Sequence, residues 1–160
     1  MAQVAAPSGE WLEHAVASPE PAARAGLETL PREWTIVDQV KVDELVVDHV
    51  VVGPNGVFVV SVDPDPVPAV PGEDGIYRSA DRVTTPVKDA LMAAHRLRRG
   101  ADGRLFAYPI LVATIVGEPE QLDRLGVVPG DRIAEYIWSH PGLPLRRSER
   151  HQVLWGLRQE

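Results

Sequence analysis

Between residues 45 and 63 the chain reads LVVDHVVVGPNGVFVVSVD, two apolar runs joined by Gly53-Pro54-Asn55-Gly56. Runs of this length around a Gly-rich turn predict a β-hairpin. Nearly every position is apolar, not every second one, so the hairpin is expected inside a sheet covered on both faces. Asp48 interrupts the first run. An unpaired charge in such a strand costs roughly several kcal/mol, so Asp48 needs either a partner or a function.

The pattern elsewhere predicts the rest of the fold. Residues 8–17 read as a short helix with a Ser cap. A second helix opens at Ser18-Pro19, carries Ala23, Leu27 and Leu30 at helical spacing, and ends at Pro31. Residues 34–40 read as a strand and 41–44 as a turn or loose edge. After the hairpin, residues 63–71 hold four prolines and predict an extended loop leaving the sheet. Residues 76–79 read as a short edge strand. Thr84-Thr85-Pro86 opens a helix over 87–99 with Val87, Leu91, Ala94 and Leu97 on one face. Residues 108–116 read as a buried strand, parallel to the hairpin because a helix intervenes. Residues 119–125 are expected as a short helix or turn, and Val127-Val128 as a last strand. Amphipathic helices are expected over 131–139 and 148–157. Trp34, Trp138 and Trp155 fall in periodic apolar segments and are expected in the core. The order predicts an α/β domain, a mixed sheet flanked by helices. The division is an N-terminal extension over 1–17 and a single domain over 18–160. Trp11, Leu12 and Val16 form an apolar stripe on the extension, for packing on the domain or on a partner.

Composition narrows the chemistry. The 160 residues are 44% hydrophobic and 24% charged, ordinary for a globular protein. The absence of cysteine excludes disulfides, thiolate metal sites and Cys nucleophiles. Neither a secretory leader nor an apolar run long enough to span a membrane is legible, so a cytoplasmic protein without membrane contact is expected. The net charge is −7, unevenly spread: residues 1–81 carry 4 basic and 14 acidic side chains, residues 82–160 carry 12 and 9. Such acidity disfavours tight non-specific nucleic-acid binding. The exception is a basic patch of His95, Arg96, Arg98, Arg99 and Arg104, with Lys88 upstream. It is either a solvated helix end suited to the dipole or a contact for nucleic acid or a partner.

Residues two apart on a strand share a face, so Ser61 and Asp63 point the same way. Pairing centred on Pro54-Asn55 sets residue 48 near residue 61. His49 then points to the opposite face. Asp48 either pairs with an Arg, caps a backbone donor, or belongs to a site. No HxxH or HExxH spacing, phosphate loop or Ser/His/Asp grouping is present.

VVDHVVVGPNGVFVV resembles the nuclease-related (NERD) family of the PD-(D/E)XK nuclease superfamily, with its Asp-His strand, Gly-Pro turn and Gly-Val-Phe strand. Thr85-Pro86-Val87 opening a helix, and Leu30-Pro31 ahead of Trp34, extend the likeness over about residues 18–158. The resemblance implies a restriction-endonuclease-like mixed sheet. It places Glu20 at the family's first-helix Glu and Asp48 at its strand Asp. Ser61 stands where the second metal-binding acid belongs, Asp63 where the Lys belongs, and Asp89 where a helix Gln is usual. The expectation is therefore a degenerate site without a cofactor, in a non-catalytic domain binding nucleic acid or protein as a scaffold. Two alternatives stand beside it. One is a nuclease using Mg²⁺ or Mn²⁺ held by Glu20, Asp48 and Asp63. The other is a protein-interaction or oligomerisation module with no nucleic-acid role.

Overall fold

Valine dominates the two hairpin strands, and these strands become the centre of the main sheet in the computed structural model, which describes residues 19–72, 75–79, 81–100, 106–115, 118–122 and 124–158, with the backbone alone at 99 and 100. The elements are α1 (Pro19–Leu27), β1 (Thr35–Val42), β2 (Leu45–Gly53), β3 (Gly56–Val62), β4 (Val70–Gly72), β5 (Gly75–Arg78), β6 (Asp81–Arg82), α2 (Thr85–Gly100), β7 (Ala107–Val112), β8 (Glu120–Leu122) and β9 (Leu125–Val128). A 3₁₀ turn (Gly130–Arg132) then leads into α3 (Ile133–Trp138), and α4 (Arg147–Arg158) follows. Six strands form a mixed sheet in the order β1-β2-β3-β7-β9-β8. The hairpin is antiparallel, with His49 opposite Val60, and β3 runs parallel to β7. The fold is thus α/β, as the order of elements predicted.

Alternation across the hairpin separates two cores. Phe58, Val60, Ile110 and Val112 face α1 and α3, where Ala23, Leu27, Ile133 and Ile137 pack on them. Val50, Val52, Val57 and Val59 face α2 and α4, meeting Ala93, Ala94 and Leu157. Small residues let the helices come close. On α2 the buried stripe is Ala90, Ala93 and Ala94, while Leu91, expected inside, is exposed. At the α1 crossing, a Cβ on Gly130 would stand 2.7 Å from that of Ala22. Gly56 follows the turn at φ 137°, open to glycine, and a Cβ there would meet the Tyr108 ring at 2.8 Å.

Asn55 makes the turn a long-range joint. Its Nδ2 donates to the carbonyls of Ile137 (2.7 Å) and His140 (3.1 Å), and its Oδ1 accepts from Trp34 Nε1 (3.0 Å). His140 lies against the rings of Phe58, Tyr108 and Tyr136, and burial lowers its pKa.

Several expectations are corrected. The proline-rich segment does not stay a loop: Val70–Gly72 pairs with Gly75–Arg78, which is the middle strand of a separate three-stranded sheet and not a main-sheet edge. Residues 120–122 form edge strand β8 where a helix or turn was expected. Of the two readings for 41–44, the structure takes both in sequence: edge strand β1 continues through Val42, and Asp43 stands at φ 56° in a tight turn. Trp138 and Trp155 are 63% and 70% exposed, not core, because their short helices turn other residues inward. Trp34 alone of the three packs against a core cluster. The expected helix over 8–17, its Trp11, Leu12 and Val16 stripe, and the Ser18 cap lie outside the described residues.

Candidate functional site

At His49–Val60 the regular β2–β3 ladder ends, and the next position on β2 is Asp48. Its side chain continues the pairing that the backbone gives up, with Oδ2 accepting from the Val62 amide at 2.8 Å. Among the described residues Oδ1 has no hydrogen-bond partner. Burial pushes the Asp48 pKa up, the Val62 amide pulls it down, and the Glu20 charge pushes it up again. Asp48 therefore caps a backbone donor, one of the roles open to it from sequence.

Asp48 lines a cleft of about 220 Å³ between the ends of β2 and β3 and the start of α2. Ser61, Asp63 and Asp89 line it too, with Thr85, Pro86 and Leu111. The hairpin register thus brings three of the four principal candidates to one hollow. Ser61 brings a neutral hydroxyl. Asp63 is 5% exposed, and its carboxylate is engaged: Oδ2 accepts from Arg78 Nη2 at 2.9 Å, and Oδ1 from the Asp65 amide at 3.2 Å. Arg78 also faces Asp65 (3.4 Å) and donates through Nε to the Val67 carbonyl (2.9 Å). Sequence reasoning missed Arg78. It sits on the small sheet, 15 residues from Asp63, and only the folding-back of the proline-rich segment brings it in.

Glu20 lies on α1, against the other face of the sheet. It meets His49 Nε2 at 3.2 Å and accepts from Arg24 at 3.2 Å. His49 Nδ1 stands 2.7 Å from Asp38, which also accepts from Arg24 at 3.0 Å. Burial pushes the Asp38 pKa up, but the hydrogen bonds from His49 and Arg24 prevail and hold it below the usual value. A buried imidazole flanked by two carboxylates is a polar core network. The sequence signal was an Asp and a His on adjacent strands, which becomes legible only once the β1–β2 register is known.

Among the described residues no three Asp, Glu or His side chains group so as to hold a metal ion. Glu20, Asp48 and Asp63 do not converge, and two of them are already ion-paired. As placed, this donor set does not fit a divalent cation, which needs several hard oxygens free to turn inward. No lysine lines the cleft, and Lys88 is exposed on α2.

The basic patch is only partly one surface. Arg96 reaches Asp43 at 4.0 Å. The Arg98 guanidinium stands 4.8 Å from the centroid of the Phe106 ring, and its Nε is buried without a partner among the described residues. His95 is exposed. The Arg99 side chain and Arg104 lie outside the described residues. Comparison with protein-family models, with curated proteins and with solved structures found no match to this chain. Among the described residues no helix is long and apolar enough to cross a membrane.

Proposed function

We propose that this chain is a nuclease-related domain that has lost catalysis and serves as a binding or scaffolding module. One observation carries the reading. Asp63, where the family places a lysine, is a buried acid locked to Arg78, so the cleft keeps a strand Asp without the cation that should serve it. Metal-assisted phosphodiester hydrolysis needs carboxylates free to hold the ion and a group to orient the attacking water. Ser61 supplies neither, and Glu20 is tied to His49 and Arg24 across the sheet. In this reading the domain works in the cytoplasm, which its lack of cysteine suits.

The test is incubation of the purified protein with single- and double-stranded DNA and RNA in Mg²⁺ or Mn²⁺. The expected result is intact substrate and a flat calorimetric titration with Mn²⁺. Cleavage that disappears in Asp48→Ala would overturn the reading in favour of a metal-dependent nuclease using Glu20, Asp48 and Asp63.

A further inference from the structure

The amphipathic pattern of α4 turns Val153, Leu154 and Leu157 toward the sheet. One flank of what remains carries Arg147, His151, Trp155 and Arg158, at spacings of four, four and three. Such spacing aligns side chains in one row, about 16 Å long at 1.5 Å per residue. All four are exposed, and Trp155 is 70% exposed. Among the described residues neither Arg147, His151 nor Arg158 has an ion-pair partner. Glu149, the one acid of the helix, turns its Oε1 back to the Arg146 amide at 2.8 Å, as a capping side chain does. Arg24, Arg78 and Arg132 each hold two carboxylates, whereas Arg147 and Arg158 flank an open tryptophan with their charge unmatched among the described residues.

We propose that this row docks an acidic segment of a protein partner, with carboxylates on Arg147 and Arg158 and an apolar side chain against Trp155. Tryptophan and arginine dominate binding hot spots. The guanidinium fork matches a carboxylate in a two-pronged contact. A nucleic acid fits less well. Single strands take a cationic groove behind the stacking platform, whereas this row lies on the outer surface of one helix. A polyphosphate also meets the net charge of −7 at long range, which a segment with two or three acids meets far less. The inference rests on the binding-module reading and goes beyond it by naming the surface and its occupant.

The experiment uses the full chain and a fluorescein-labelled peptide carrying three Asp or Glu residues with one Leu and one Phe, read by anisotropy at low and high salt. Saturable binding at low salt is expected. It should weaken about tenfold or more in Arg147→Glu/Arg158→Glu and about tenfold in Trp155→Ala, while Trp155→Phe retains most of it. Thermal melts of all variants should match the parent. Three results would overturn the proposal: no saturable binding, binding indifferent to these changes, or displacement of the peptide by oligo-dT that itself binds more tightly. A dimer seen by light scattering and abolished by Trp155→Ala would also overturn it, in favour of a second copy. Nuclease activity, by contrast, would remove the earlier reading and leave this measurement intact.

Discussion

On the α1–α3 face of the main sheet, Arg24 bridges Glu20 and Asp38, His49 lies between the same two acids, and Arg132 holds Glu118 and Glu135. On the α2–α4 face, Arg78 holds Asp63 and Asp65 beside the cleft, while Arg98, Arg147 and Arg158 meet no carboxylate among the described residues and Arg96 meets Asp43 only at 4.0 Å. On the first face the pairs tie helix to sheet; on the second they are concentrated in the Arg78 cluster beside the cleft, and the exposed arginines of α4 stay unpaired among the described residues. The matching matters energetically only where water is excluded. Exposed pairs such as Arg24–Glu20 add little because solvent screens them. The buried members, His49 and Asp63, are the ones whose partners count.

Three measurements test how much the buried polar groups on each face contribute. The largest effect is expected from Arg78→Ala, which leaves the Asp63 carboxylate buried without its cation and with only the Asp65 amide as donor. Urea denaturation at neutral pH should show a loss of about 3 kcal/mol, with much of it recovered in Asp63→Asn/Arg78→Met. A loss near zero would mean that water already reaches the pair. His49→Leu should cost about 2 kcal/mol by the same measurement. The figure is smaller because Glu20 and Asp38 remain 32% and 43% exposed and can turn to solvent. An unchanged midpoint would make the pairs on the first face an ornament of the surface.

The smallest effect concerns His140. Burial holds its folded pKa below the unfolded value, so the unfolded chain takes up a proton first as pH falls. Its contribution is fully present above the ordinary histidine range and is lost as pH drops from that range toward the folded value. Thermal melts between neutral and mildly acidic pH should show this slope, and His140→Phe, which keeps the ring contacts, should flatten it.

The hairpin was legible because its information is local: two valine-rich runs, a turn, and a register that the turn itself sets. That register also brought Asp48, Ser61 and Asp63 to one cleft, the legible part of the candidate site. What escaped was everything that depends on distant chain. The strand Val70–Gly72 holds a proline and has no apolar alternation, so only its partner Gly75–Arg78 defines it. Glu120–Leu122 is polar because it closes the sheet at an edge. Trp138 and Trp155 read as core because a large apolar residue at helical spacing usually is. The spacing was present, but the inward positions belonged to Ile133 and Ile137 on α3 and to Val153, Leu154 and Leu157 on α4. The row from Arg147 to Arg158 was available from helical spacing alone once Trp155 is set outside.

Asn55 gives the hairpin a consequence for engineering. By residue type it is an ordinary turn former, interchangeable with other turn sequences. Its side chain, however, satisfies two carbonyls at the end of a six-residue helix and the indole of Trp34. A helix that short has no stability of its own. Exchanging the turn for another of equal length would preserve the hairpin and unfasten α3, so the most recognisable piece of this chain is also the least transplantable.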